Sequence, residues 1–169
     1  PDPTVSGTVG AVSAYLRRES LDRPAFPRRG TAVDGVFELG ADTEDHDRTF
    51  HHYRLRARHV RPLHRRLVLD VGVLAGAAGG PGLPLHRRFY LGGQSPSAVF
   101  ASIHAPFLGL EPRERSGRAV QVARIGLRYE IGRGRHLGIR ADVGAVFDDW
   151  RVEPSEYESG WGVEAGAET

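Results

Sequence analysis

The feature that most constrains this chain is a period-two alternation of apolar and polar residues that recurs in segment after segment. Side chains on a strand alternate between the two faces of a sheet, so such a pattern builds one apolar face and one polar face. Over residues 137–147, Leu137, Ile139, Ala141, Val143, Ala145 and Phe147 alternate with Gly138, Arg140, Asp142, Gly144 and Val146. Over 123–131, Ala123, Ile125, Leu127, Tyr129 and Ile131 alternate with Arg124, Gly126, Arg128 and Glu130. Residues 67–77 set Leu67, Leu69, Val71, Val73 and Ala75 against Arg66, Val68, Asp70, Gly72 and Leu74. Noisier versions place Val33, Phe37 and Leu39 opposite Asp34 and Glu38, and Tyr53, Leu55 and Ala57 opposite Arg54, Arg56 and Arg58. A last segment, 160–169, alternates Trp161, Val163, Ala165 and Ala167 with Gly162, Glu164, Gly166 and Glu168, while the first, about 5–17, is weakly patterned and leaves its faces unassigned. The expectation is an all-β antiparallel meander of about seven or eight strands.

Turn-forming residues fall between these segments, at 20–27, 42–47, 61–65, 132–135 and 148–159. Gly132-Arg133-Gly134-Arg135 is a good tight hairpin. The exception is 79–116, rich in Gly and Pro and too long for an ordinary connection, which predicts an inserted loop folding back on the sheet with a short strand near Phe89.

The 169 residues suffice for one domain with a core, and a single β-barrel domain over 1–169 is expected. The basic charge is all Arg, interspersed with acids, and the net charge is only +2, which does not imply nucleic acid as a partner. The absence of Cys excludes disulfides and thiolate metal sites. No apolar run approaches the roughly 18 residues of a membrane helix, whereas membrane strands escape such a count. The chain opens at Pro1 without a signal-peptide pattern, which predicts a piece of a longer precursor.

Alternation alone does not separate a soluble sandwich from a membrane barrel. Segments of about 10 to 14 residues match a tilted membrane crossing rather than the usual 5 or 6 of soluble strands. The apolar face is built from small and medium residues, with Phe37, Tyr53, Tyr129, Phe147 and Trp150 near strand ends like an interfacial girdle. The polar face combines Gly with Arg54, Arg56, Arg58, Arg124, Arg128 and Arg140 against Asp34, Glu38, Asp70, Glu130 and Asp142, a mixture suited to a narrow lumen in which charges pair across strands. The bland alternative is that these charges are the solvated face of an ordinary sheet.

Local motifs add a resemblance. Phe26-Pro27-Arg28-Arg29-Gly30 and Arg88-Phe89-Tyr90-Leu91-Gly92-Gly93 resemble the FPxxG and F-x-LGG signatures of the bacterial surface antigen family, the barrel of outer-membrane assembly factors and two-partner secretion transporters. Phe107-Leu108-Gly109-Leu110, Gly117-Arg118, the stretch 125–130 and the terminal 160–169 look most like the C-terminal barrel of bacterial patatin-like phospholipases. The resemblance implies Phe26, Pro27, Gly30, Phe89, Leu91, Gly92 and Gly93 as structural loop positions and a bacterial outer-membrane location. Two departures matter. Residues 94–100 lack the Arg-Gly-aromatic motif of assembly factors, which weakens an assembly or secretion role. The family's last segment continues past the position of Thr169 into a closing strand, so the closing strand is expected to be missing, and closure by a second copy of the chain stays open.

Catalytic candidates are weak. The patatin family uses a Ser-Asp dyad whose Ser lies in a G-x-S-x-G elbow, and none occurs here; Ser95 lacks a strand-turn-helix context. His46, His51, His52, His59 and His64 cluster over one hairpin, but His51 and His52 point to opposite faces and cannot bind one zinc ion. Asp148, Asp149, Glu153, Glu156 and Glu158 lack the spacing of a calcium loop. Gly92-Gly93 is better read as permitting close backbone approach or positive φ than as a phosphate cradle, because Pro96 argues against a following helix. No cofactor, metal or catalysis is expected. The functional expectation is an outer-membrane barrel that anchors, or helps translocate, an upstream patatin-like hydrolase domain of the same protein, with membrane lipid as its surroundings and a lumen occluded or made selective by the Arg and acid lattice and the 79–116 loop. The alternatives are a polypeptide-transport or assembly barrel, and a soluble β-barrel binding a small apolar ligand.

Overall fold

The computed structural model describes residues 9–42, 48–93, 103–132 and 134–167. Each alternating segment forms a long antiparallel strand: β1 (Val9–Glu19), β2 (Gly30–Asp42), β3 (Thr49–Pro62), β4 (Leu67–Gly79), β8 (Ala119–Gly132), β9 (Arg135–Phe147) and β10 (Glu158–Ala167). They make one seven-stranded sheet in the order β1-β2-β3-β4-β8-β9-β10, so neighbours in space are neighbours in the meander. The sheet is not closed; β1 and β10 are its edges. Among the described residues no helix is long and apolar enough to cross a membrane, which does not bear on strands.

Register decides which residues share a face. From β2 to β10 the pairings join even to even and odd to odd numbers, as in Asp34↔Arg56, Gly72↔Arg124 and Arg124↔Asp142, save at the end of the β8–β9 hairpin, where a register shift pairs Gly132 with Arg135. The β1–β2 pairing instead joins opposite parities, as in Val12↔Leu39 and Arg17↔Asp34. That phase change settles the faces of the weakly patterned first strand: Val12, Ala14 and Leu16 join the outer row, and Ser13, Tyr15 and Arg17 the inner one. A one-residue slip exchanges a strand's faces, so the apolar row holds the register.

The odd-numbered outer row, including Leu39, Leu55, Val73, Ile125, Ile139 and Val163, is about half exposed or more, with no layer of protein over it. On it Phe37 and Tyr53 stack as a cross-strand pair with ring centroids 5.4 Å apart. Phe147 departs from the expected girdle: it is buried with Ala119 and Ala145 under Tyr157, in edge contact at 5.8 Å, with the Arg151 guanidinium over its ring. The 148–157 connection folds down onto this end of β9 and removes Phe147 from the outer surface.

The core lies on the inner side. The long connection between β4 and β8 is more than a loop: a 3₁₀ turn at Leu85–Arg87 precedes β5 (Phe89–Leu91), which pairs in parallel with β6 (His104–Ala105) and antiparallel with β7 (Arg115–Gly117). Phe89, Leu91, Ala105 and Phe107 of this insert pack on Leu74, Ala78, Val120 and Val122 of the wall. These even-numbered wall residues are apolar where the pattern otherwise places polar ones, because the insert covers them.

The connections are unequal at the two ends. The β3–β4 and β8–β9 hairpins close at the end that also carries the 20–29 turn, whereas β2 joins β3, β4 joins β8 and β9 joins β10 at the other end.

Candidate functional site in the lumen

Two segments enter the concave face from opposite ends. The 20–29 turn is tied at its base by Ser20, whose backbone N–H donates to the Thr31 carbonyl at 2.8 Å. Gly30 has φ +119°, and a Cβ there would overlap the Ser20 carbonyl, so this hinge tolerates no side chain. The turn projects across the sheet. Phe26 stacks on His136 of β9 at 4.5 Å, lies under the Arg128 guanidinium at 5.6 Å, and meets β10 at Gly166, where any Cβ would overlap its ring. Pro27 is fully buried and its carbonyl accepts a hydrogen bond from Arg128 Nη2. Arg28 pairs with Glu130 at 2.7 Å.

From the other end, the insert is hinged at Gly92 and Gly93, with φ +128° and +73°; a Cβ on Gly92 would overlap the Glu111 carbonyl. His104 and the Gly92 carbonyl hydrogen-bond within it. Its innermost segment, Pro106-Phe107-Leu108, is latched to the wall through Asp142, whose side chain is wholly buried. Asp142 accepts from Arg124 Nε at 2.9 Å, from Arg140 Nη2 at 3.0 Å and from the Leu108 backbone N–H at 3.1 Å. Arg124 Nη2 also donates to the Pro106 carbonyl at 3.0 Å. The Leu108 carbonyl rests on Gly160 of β10, where a Cβ would overlap it.

The eleven lattice residues expected from sequence all lie on the inner face, but they pair less uniformly than strand against strand. Asp34 takes Arg54 at 2.7 Å, diagonally, although Arg56 stands directly opposite it. Arg58 holds Asp70 through Nε at 3.0 and 3.1 Å. Arg140 bridges Asp142 to Glu164, the latter at 2.8 Å. Glu130 and Glu38 serve the incoming segments instead: Glu130 pairs with Arg28 of the turn, and Glu38 with Arg87 of the insert at 3.1 Å. Pattern reading missed Arg28, Arg87, Leu108, Gly160 and Gly166. Their signal is long-range contact, which periodicity does not carry.

His52 is buried inward and stacked on Phe89 at 4.7 Å, whereas its neighbour His51 is turned to the other face beside Tyr53. Of the five acids weighed for calcium, three pair with arginines: Glu156 with Arg151 at 2.6 Å, Glu158, the first residue of β10, with Arg115 at 3.1 Å and Asp148 with Arg88 at 3.4 Å. His46, Ser95, the 94–100 stretch and Thr169 lie outside the described residues.

The seven-stranded meander and its lumen insert match a known family, for the Omp85 superfamily domain covers residues 10–167. The chain belongs to the Omp85 superfamily. Omp85 domains are non-catalytic β-barrels of the bacterial outer membrane, with roles in assembly or transport. No curated protein matches the chain. Within the Omp85 frame the surface-antigen resemblance read from the FPxxG and F-x-LGG motifs is supported at superfamily level.

Proposed function

We propose that this Omp85 chain is the anchoring barrel of an outer-membrane protein, with its lumen held shut by its own turn and insert, and that it carries a patatin-like acyl hydrolase domain of the same protein. The observation that carries the anchoring half is the double occupation of the lumen. The FPxxG turn is fastened to β8, β9 and β10 from one end, and the insert is latched to Asp142 from the other. Arginine and acid pairs tie both to the wall, an arrangement that favours a static scaffold over a wide pore. The uncovered apolar outer row supports lipid over water as its surroundings. A 13-residue strand is about 43 Å long and spans about 33 Å when tilted by about 40°, enough for a hydrocarbon layer of about 30 Å. The hydrolase half rests on the resemblance of 107–110, 125–130 and 160–169 to patatin-like barrels.

Planar-bilayer recording on the full-length protein tests the anchor. Little steady conductance is expected, with a large increase on deleting residues 82–116; steady ion flow through the intact protein would refute occlusion. A G-x-S-x-G elbow encoded upstream, with ester hydrolysis abolished by replacing its Ser, is the outcome expected for the hydrolase, and its absence removes that half. The second reading is a transport or assembly barrel, favoured by superfamily membership and by a cavity of about 940 Å³ left between the two incoming segments.

A further inference from the structure

The cavity between the turn and the insert has an unbalanced wall. Arg56, Arg58, Arg124, Arg128 and Arg140 line it, against the carboxylates of Asp70 and Glu164. Asp142, buried behind Arg124 and Arg140, answers both, and Asp70 answers Arg58. The imbalance centres on Arg56. Of the six lumen arginines it alone makes no hydrogen bond or ion pair with any described residue, because the carboxylate opposite it, Asp34, is engaged by Arg54. A half-buried guanidinium whose nearest carboxylate is hydrogen-bonded elsewhere keeps its donors unsatisfied, and its donor fork matches oxyanions in two-point geometry.

We propose that this cavity is a binding site for a phosphate group, with Arg56 as its principal ligand and with Arg58 and Arg124, which flank Gly72 on the neighbouring strands, completing the positive wall. A phosphate group presents paired oxygens to the two-point donor fork of Arg56. The volume of about 940 Å³ also accommodates an ester substituent, so the phosphate can come from free phosphate or from a lipid headgroup. The site is separate from the anchoring reading: conductance judges that reading, and ligand binding judges this one.

The test is calorimetric titration of the full-length protein, folded in a non-ionic maltoside detergent at low ionic strength. One arm uses inorganic phosphate and the other micelles doped with phosphatidylglycerol. Saturable binding is expected, weakened tenfold or more in Arg56→Gln and unchanged in Arg151→Gln, whose arginine lies on the last long connection. Binding of inorganic phosphate assigns the site to the free anion, and binding of the doped micelles alone assigns it to a headgroup. Should Arg56→Gln lose the heat-modifiable migration of a folded barrel, arginine Nε–H NMR of the unmutated protein decides instead, through a phosphate-dependent shift of the Arg56 resonance. No saturable binding in either arm, an Arg56→Gln variant that binds like the parent, or an unmoved Arg56 resonance overturns the proposal.

Discussion

Asp142 joins the wall to the insert through three donors in a space without water access to its side chain. Removing one partner from such a cluster leaves the others desolvated and unpaired, at a cost of about 3–5 kcal/mol. Asp142→Ala is therefore expected to lower the unfolding free energy by about that amount in urea titrations in detergent; a loss below about 1 kcal/mol would show that the arginines find other partners. His52 presents the opposite case. Both of its ring nitrogens are buried without a hydrogen-bond partner among the described residues, while its ring stacks on Phe89. His52→Phe keeps the stacking and removes the unsatisfied atoms, so its urea midpoint is expected to equal or exceed that of the parent, and a lower one would reveal a hidden partner. Asp22 in the turn accepts backbone N–H bonds from Arg28 at 2.8 Å and Arg29 at 3.2 Å. Desolvation opposes its ionisation, but these donors together with Arg23 outweigh it and hold the carboxyl below its usual range. A depressed folded value means that the stabilisation is present above the unfolded pKa of about 3.9 and is lost as pH falls through the folded value. The parent is expected to be more stable than Asp22→Asn at pH 6, with the difference closing toward pH 2. A constant difference across that range would sink the assignment.

Each long strand follows from its own alternation, and the seven segments read from sequence correspond to the seven strands of the main sheet. Boundaries moved where tertiary contacts extend the ladder: β4 runs to Gly79, and β10 begins at Glu158, paired with Gly144. The insert was legible only as an anomaly of length, because strands of two or three residues are too short to display a period. One clue was nonetheless present in the apolar even-numbered Leu74, Val120 and Val122, which break the polar inner face at the place where the insert lands. Gly160 is the matching contact on β10. Gly160→Val is expected to push Leu108 away from Asp142, seen as new bilayer conductance and faster tryptic cleavage near Arg113 and Arg115, with the sheet intact by circular dichroism. Unchanged conductance and cleavage would mean that the insert does not depend on this contact.

At the scale of the whole molecule, the two tryptophans report on the two environments. Trp161 stands on the outer row of β10, paired with Ala141, and is 79% exposed, whereas Trp150 belongs to the last long connection. In liposomes Trp161 fluorescence is expected to be quenched by brominated acyl chains, and that of Trp150 by aqueous acrylamide, each followed after replacing the other with Phe. The reverse assignment would overturn the lipid-facing row. Strand direction constrains closure as well. Seven alternating strands leave β1 and β10 running the same way, so joining one to the other, within a chain or between two copies about the barrel axis, makes a parallel seam. Antiparallel closure takes an odd number of additional strands, and a sheet edge cannot stay unpaired in lipid.

The strands, their faces and most turns were readable from residue order, because alternation and turn chemistry act over a few neighbours. What fills the lumen was not. Arg28 meets Glu130 across 102 residues, Arg128 meets the Pro27 carbonyl across 101, and Asp142 takes the Leu108 N–H across 34. Such contacts arise only once the sheet curves and brings distant strands around one space. The charge pattern placed eleven lattice residues on one face; only the folded register decided which acids serve the wall, which serve the turn and the insert, and that Arg56 is left facing the cavity.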